Sequence, residues 1–192
     1  MRSGASAGTG FSWAAFLLNV ALRLSLAYFL FEVLRFPNDR RFTGKAIPIR
    51  NIFIITVMSS FLPLLHLKRK ERTAYPFGLD NLYLSVFWLD MAGNSFDLYD
   101  THYYFDLIPH FHGTGAIAAV LKRLFGLPAL SAIGLANALH LLLEAQEYYT
   151  DVLLGTHNVR GVSDTVNDLV AGLLGTGVYT GIQTLRDRSS RG

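Results

Sequence analysis

Three stretches of this chain run for 17 residues without a charged side chain: Asn51–Leu67, Leu127–Leu143 and Leu169–Leu185. A fourth, Phe11–Phe31, runs for 21 residues interrupted only by Arg23. A bilayer core about 30 Å thick is crossed by roughly 17–25 mostly apolar residues in a helix. Four such runs in 192 residues leave too little polar surface for an ordinary water-soluble globule. Charged residues make up 16% of the chain, against about 25% in a typical soluble domain.

Two more apolar runs carry acids: 81–98 contains Asp90 and Asp97, and 105–121 contains Asp106 and His110. The pattern predicts an all-α polytopic membrane bundle, a single domain over 1–192. Its six spans are placed at about 11–31, 51–67, 81–98, 105–121, 127–147 and 164–185. The first run exceeds the 7–15 residues of a signal-peptide core and lacks a cleavage site, so it reads as a retained helix. Met1–Gly10 and Ser189–Gly192 are Gly/Ser-rich and read as mobile ends.

The basic residues fall mostly between the runs, which is a membrane pattern rather than a nucleic-acid one. With the N-terminus inside, the inner side carries Arg2, Lys68, Arg69, Lys70, Arg72, Lys122, Arg123, Arg186, Arg188 and Arg191. The outer side carries Arg35, Arg40, Arg41, Lys45, Arg50 and Arg160. The excess puts both termini in the cytoplasm of a cell with the protein in its inner (plasma) membrane. The five bases of the first loop run against that rule.

Acids are distributed differently. Nine of the fourteen lie between positions 90 and 168, with five of the six histidines. In an up-and-down bundle the junctions between helices three and four and between five and six share one side. The acids therefore gather at one end, read as the outer end, with Tyr99, Tyr103, Tyr104, Tyr148 and Tyr149 as an interfacial belt. Helical spacing aligns His140, Glu144, Glu147 and Asp151 on one face, and likewise Asp90, Asn94 and Asp97. Asp106–His110 and Asp164–Asp168 repeat the i, i+4 step. The two hairpins resemble a parallel repeat, offset by 50 and 58 residues.

Charge inside a membrane is expensive, about 2.5–3.5 kcal/mol at a helix centre. Arg23 and Asp90 are equally deep and are expected to pair. Asp97, Asp100 and Asp151 read as solvated loop acids, Asp106 and Asp164 also suit helix N-caps, and His102 and His157 read as loop residues. Gly177 and Gly181 form a GxxxG step expected to draw helix six against helix five.

His110, Glu144, Glu147 and Asp168 are the candidate catalytic residues. With Asp106 and Asp164 they form a candidate metal set. Oxygen-rich donors with His110 and His140 as the imidazoles in the spans suit a divalent metal such as Mg, Mn, Zn or Fe(II). The absence of cysteine excludes thiolate metal sites and Cys nucleophiles. HExxH, GxSxG and the paired Glu-xx-His of di-iron bundles are absent too.

Asp106-xxx-His110-Phe111, then Glu144 and Glu147, then Asp164-Thr165-xx-Asp168-Leu169 before a Gly-rich apolar run, resembles the YjdF-type bacterial inner-membrane family. It is more distantly similar to VanZ-like proteins, in which a Lys often follows the first Asp (Leu107 here) and a Gln often replaces the second Glu. The resemblance spans about 87–185 and implies a polytopic bundle with inward polar residues; it implies no reaction. Three functions remain: a divalent-metal-dependent enzyme on a lipid or lipid-linked substrate, a proton- or metal-coupled carrier working as a homo-oligomer, and a non-catalytic membrane scaffold or envelope accessory protein.

Overall fold

A computed structural model describes residues 11–69 and 74–189 of the protein. The expected mobile ends fall outside the described residues apart from Ser189, as do Arg2, Lys70, Arg72 and Arg191 of the charge count. Among the described residues all regular structure is helical. The helices are α1 (Trp13–Arg35), α2 (Ile47–Lys68), α3 (Phe77–Ser95), the short α4 (Leu98–Thr101), α5 (Leu107–Phe125), α6 (Ala129–Leu154) and α7 (Val162–Ser189). Two of them, α1 and α2, are long and apolar enough by length and composition to cross a membrane. The other four expected spans correspond to α3, α5, α6 and α7, whose polar residues dilute their apolar character.

Local chemistry sets the helix ends. Ser12 caps α1, its hydroxyl accepting from the N–H of Ala15 at 3.3 Å. Pro48 lies in the first turn of α2 and Pro109 in that of α5, where a missing N–H costs nothing. Gly126 and Gly155 close α5 and α6 in the left-handed conformation. Asp97 also adopts that conformation, at φ 59°, which short polar side chains tolerate. So α3 runs from 77 to 95 rather than 81 to 98, and Asp97 is not on the Asp90–Asn94 face.

Inside α2 a π-helical turn occupies Ile54–Met58. Pro63 has no N–H to offer the carbonyl of Ser59 four residues back. The Arg23 guanidinium takes that carbonyl instead, at 2.9 Å.

Long helices consecutive in the chain alternate in direction. Phe77 at the start of α3 packs on Phe11 and Phe16 at the start of α1, so α1 and α3 are parallel. α5 and α7 are parallel as well, joined by Lys122–Asp187 at one end and His110–Asp168 at the other. The most extensive packing is between α5 and α7, followed by α1 with α3, while α5 also touches α3 and α6. The α1–α3 half is cemented by large side chains, Leu26, Phe29, Leu84 and Met91 among them. The α5–α7 half is built from small ones: Gly113, Thr114, Gly115 and Ala116 on α5, Ala132 and Ala136 on α6, Ala171, Gly172, Gly175 and Thr176 on α7. Small residues let helix backbones approach closely. The close contacts are at Gly172 and Gly175, where an added Cβ would meet the His140 ring and the Phe111 carbonyl. Around Gly177 and Gly181 there is open space. The GxxxG step is therefore not the packing seam, and α7 lies chiefly against α5 rather than α6.

The Arg23–Asp90 pair is not formed. Arg23 binds Asp80 at 2.6 Å, and Asp80 is fully buried. Asn19 donates to the same carboxylate oxygen at 2.8 Å. Asp80 lies one residue before the expected start of helix three, and the earlier start of α3 draws it inside. Asp90 instead pairs with Arg50 at 3.2 Å and accepts from the Tyr99 hydroxyl at 3.1 Å.

Candidate metal centre

α5, α6 and α7 each deliver part of one polar cluster. His110 is the fourth residue of α5, Asp106 sits at its N-cap position, and Asp168 is the seventh residue of α7. His140 and Glu144 lie one turn apart on α6, on the face turned inward. Because α6 runs opposite to the other two, its middle third reaches the depth of their first two turns.

The geometry centres on His110. Its Nδ1 is 2.7 Å from Nε2 of His140, and the two rings stack with centroids 4.9 Å apart. Glu144 Oε1 lies 3.5 Å from His110 Nδ1 and 3.3 Å from His140 Nε2. On the other edge of the ring, Nε2 faces Asp106 Oδ1 at 3.4 Å and Asp168 Oδ1 at 3.9 Å. His140, Glu144 and Asp168 are 5%, 5% and 4% exposed. His140 Nδ1, Glu144 Oε1 and Asp168 Oδ1 are buried without a hydrogen bond. Unpaired buried polar atoms cost about 1–3 kcal/mol each, more when charged. Two triads, His110–His140–Glu144 and Asp106–His110–Asp168, bring one donor atom per residue within 4.8 Å of one another, a spacing that suits a metal ion.

Asp106, His110, Glu144 and Asp168 of the sequence-derived set thus meet, and His140 joins them. The signal for His140 was its i, i+4 step to Glu144. Glu147 and Asp164 stand outside both triads. Glu147 has Arg50 among its electrostatic neighbours, and Asp164 accepts from the N–H of Arg160 at 3.2 Å at the start of α7. Asp106 makes no side-chain cap hydrogen bond.

His112 is a third imidazole within these helices, passed over in the sequence reading. It joins Ser85 Oγ at 2.9 Å and the Tyr179 hydroxyl at 2.7 Å. The Ser85 hydroxyl donates to the Leu82 carbonyl at 2.8 Å, so it accepts from His112 Nε2–H, and Tyr179 donates to Nδ1. This chain clips α3, α5 and α7 together; its protons face the wrong way for a nucleophile–base pair.

The loops at the same end are tied down rather than solvated. Arg40 pairs with Asp97 at 2.7 Å, Lys45 with Asp100 at 2.7 Å, and Arg41 with Glu32 and Asp39, both at 2.8 Å. His157 N–H donates to the Gly44 carbonyl at 2.8 Å. Hydrogen bonds from the Arg41 side chain and backbone N–H hold the Asp39 carboxyl at about 2. Burial pushes the Asp100 carboxyl up, but the Lys45 ammonium outweighs it and the group lies below its ordinary value. Asp151, in the last turn of α6, accepts from the Asn158 and Val159 N–H groups and the Thr156 hydroxyl at 2.6–2.8 Å. There too burial is overcome, by these donors, and the carboxyl is lowered.

Compared with protein-family models, curated proteins and solved structures, the chain matches none.

Proposed function

We propose that this is a multi-pass inner-membrane protein in which all six long helices are embedded, and that it is a divalent-metal-dependent enzyme acting on a lipid or lipid-linked substrate near the outer leaflet. The embedding is supported by an inverted distribution of polarity. Leu24 and Phe31 on α1, Leu141 and Leu142 on α6, and Leu173 and Leu174 on α7 are exposed, whereas Asp80, Asn94, His140, Glu144, Asp168 and Thr176 are buried. Water-soluble proteins do not leave apolar faces of that extent uncovered. Intramembrane ionisable residues facing a bundle interior are the usual mark of a functional site. The YjdF-type resemblance is part of the same reading.

The orientation, with both termini cytoplasmic, rests on the count of Lys and Arg, ten on the inner side against six on the outer. Arg40, Arg41, Lys45 and Arg50 are each paired with an acid at the same end. These pairs tie the first loop down, and its five bases stay the exception within that count.

The observation that carries the metal reading is the convergence of buried His140 Nε2 and of the buried, unpartnered Glu144 and Asp168 oxygens, from two helices, onto His110 of a third. An ion bound there supplies Lewis acidity to a phosphoryl or carbonyl oxygen, or lowers the pKa of a bound water. His110 and Asp168 lie within about 10 Å of the ends of α5 and α7 at 1.5 Å per residue, a depth that a lipid headgroup reaches. The test is metal analysis of detergent-purified full-length protein. Wild type is expected to hold a stoichiometric divalent ion, and Glu144→Ala and His110→Ala to lose it. Metal-free wild type, with both variants unchanged in thermal stability, overturns the reading.

A further inference from the structure

We infer that the ion sits on the Nδ1 side of His110, held by His110 Nδ1, His140 Nε2 and Glu144 Oε1, while Asp106 and Asp168 act from the Nε2 side as positioning residues. This rests on the metal reading above and goes beyond it by assigning each residue its tier.

The two nitrogens of an imidazole point away from each other, so one ion takes only one of them. His110 has a triad on each edge, and one edge must serve the ion and the other must orient the ring. Ligand bonds near 2.1 Å put neighbouring donors about 3.0–3.4 Å apart in octahedral or tetrahedral geometry. The separations on the Nδ1 side, 2.7, 3.3 and 3.5 Å, bracket that range. On the Nε2 side Asp106 Oδ1, at 3.4 Å, lies at the edge of that range and Asp168 Oδ1, at 3.9 Å, stands outside it.

Polar satisfaction decides in the same direction. With the ion on Nδ1, the Glu144 oxygen that has no hydrogen bond becomes a ligand, and the His110 proton moves to Nε2. That N–H then lies between Asp106 and Asp168 and serves the unpartnered Asp168 Oδ1. A metal-bound histidine whose second N–H is held by a carboxylate is the general arrangement of such sites. With the ion on Nε2, Nδ1–H donates to His140, and Glu144 Oε1 stays buried and unserved. The donor set on the Nδ1 side is two imidazoles and one carboxylate, which leaves coordination positions open for water or substrate. Charge agrees, because the excess positive charge of an ion bound by one carboxylate faces two more across the ring.

The test uses the full-length protein in detergent, with Zn²⁺ affinity measured by competition and Co²⁺ absorption as the signature of the ligand field. Wild type is expected to bind one equivalent. His140→Gln and Glu144→Gln should lose more than 100-fold in affinity together with the wild-type Co²⁺ spectrum. Glu144→Asp, which keeps the charge but withdraws it by a methylene, replaces Glu144→Gln if that variant does not fold. Asp106→Asn and Asp168→Asn should still bind one equivalent with the same Co²⁺ bands, weakened about 10- to 100-fold. Loss of the ion in Asp168→Asn with its retention in His140→Gln would move the ion to the Nε2 edge and leave the metal reading standing. Two equivalents in wild type would replace a single ion by a pair bridged through His110, also overturning the assignment. Folded wild type that takes up neither metal would remove the metal reading itself.

Discussion

At Gly172 the site depends on a side chain that is not there. A Cβ at this position would run into the His140 ring and crowd the Thr114 hydroxyl, both fixed by close helix packing. Gly172→Ala is therefore expected to displace His140, abolish ion binding, and destabilise the protein by about 1–3 kcal/mol, the usual cost of overpacking. Gly177→Ala is the control. It points into open space and should stabilise its helix by up to about 1 kcal/mol. Thermal melts and metal stoichiometry on the two variants separate these outcomes, and equal effects would count against the packing account. Sequence alone marked α7 as glycine-rich but selected the Gly177–Gly181 step, because spacing says which residues share a face and not which face meets a neighbour. The same limit explains Arg23. Its depth called for a partner, and the true one, Asp80, looked like a boundary residue until the start of α3 was known.

At the scale of elements, the polar stripe of α6 was legible as far as Glu144, since one helix without interruption carries His140 and Glu144. The stripe on α3 was not legible at its end, because the left-handed Asp97 terminates the helix and turns away to Arg40. The loop after α6 shows how a terminus is held. The charged acceptor Asp151 gathers the turn 156–159 through several donors, so Asp151→Ala should cost about 1.5–3 kcal/mol. The linkage sign follows from its lowered pKa. This stability is complete above the unfolded value near 3.8 and is lost as pH falls through the lower folded value. Melts between pH 6 and pH 2.5 should show a steeper acid loss in wild type than in Asp151→Ala; parallel curves would remove Asp151 from the acid transition.

For the whole molecule, an all-helical up-and-down arrangement with acids at one end was readable from the uncharged runs. The pairing of first-loop bases with those acids was not, because it joins positions 40 and 97 or 45 and 100, beyond any local period. The exterior yields a direct test of the bilayer. Leu142, 65% exposed in the middle of α6, meets lipid in the proposed setting. Leu142→Lys should then cost about 2.5–3.5 kcal/mol and cut the folded yield in the membrane fraction. On a water-facing helix the same change stays within about 0.5 kcal/mol, so an undiminished yield would argue against embedding.

The small-residue seam of α5 with α7 also has a consequence for how the chain is made. Synthesis delivers Asp106, His110, His140 and Glu144 before α7 exists. Until α7 docks, the flank of His140 that Gly172 will cover stands open, and His110 lacks one of its two carboxylates. The nascent chain therefore holds four of the five cluster acids and imidazoles, those of α5 and α6, half-enclosed, and the docking of α7 closes the site. A chain stopped before position 168 thus carries all three proposed ligands but not the enclosure that α7 supplies.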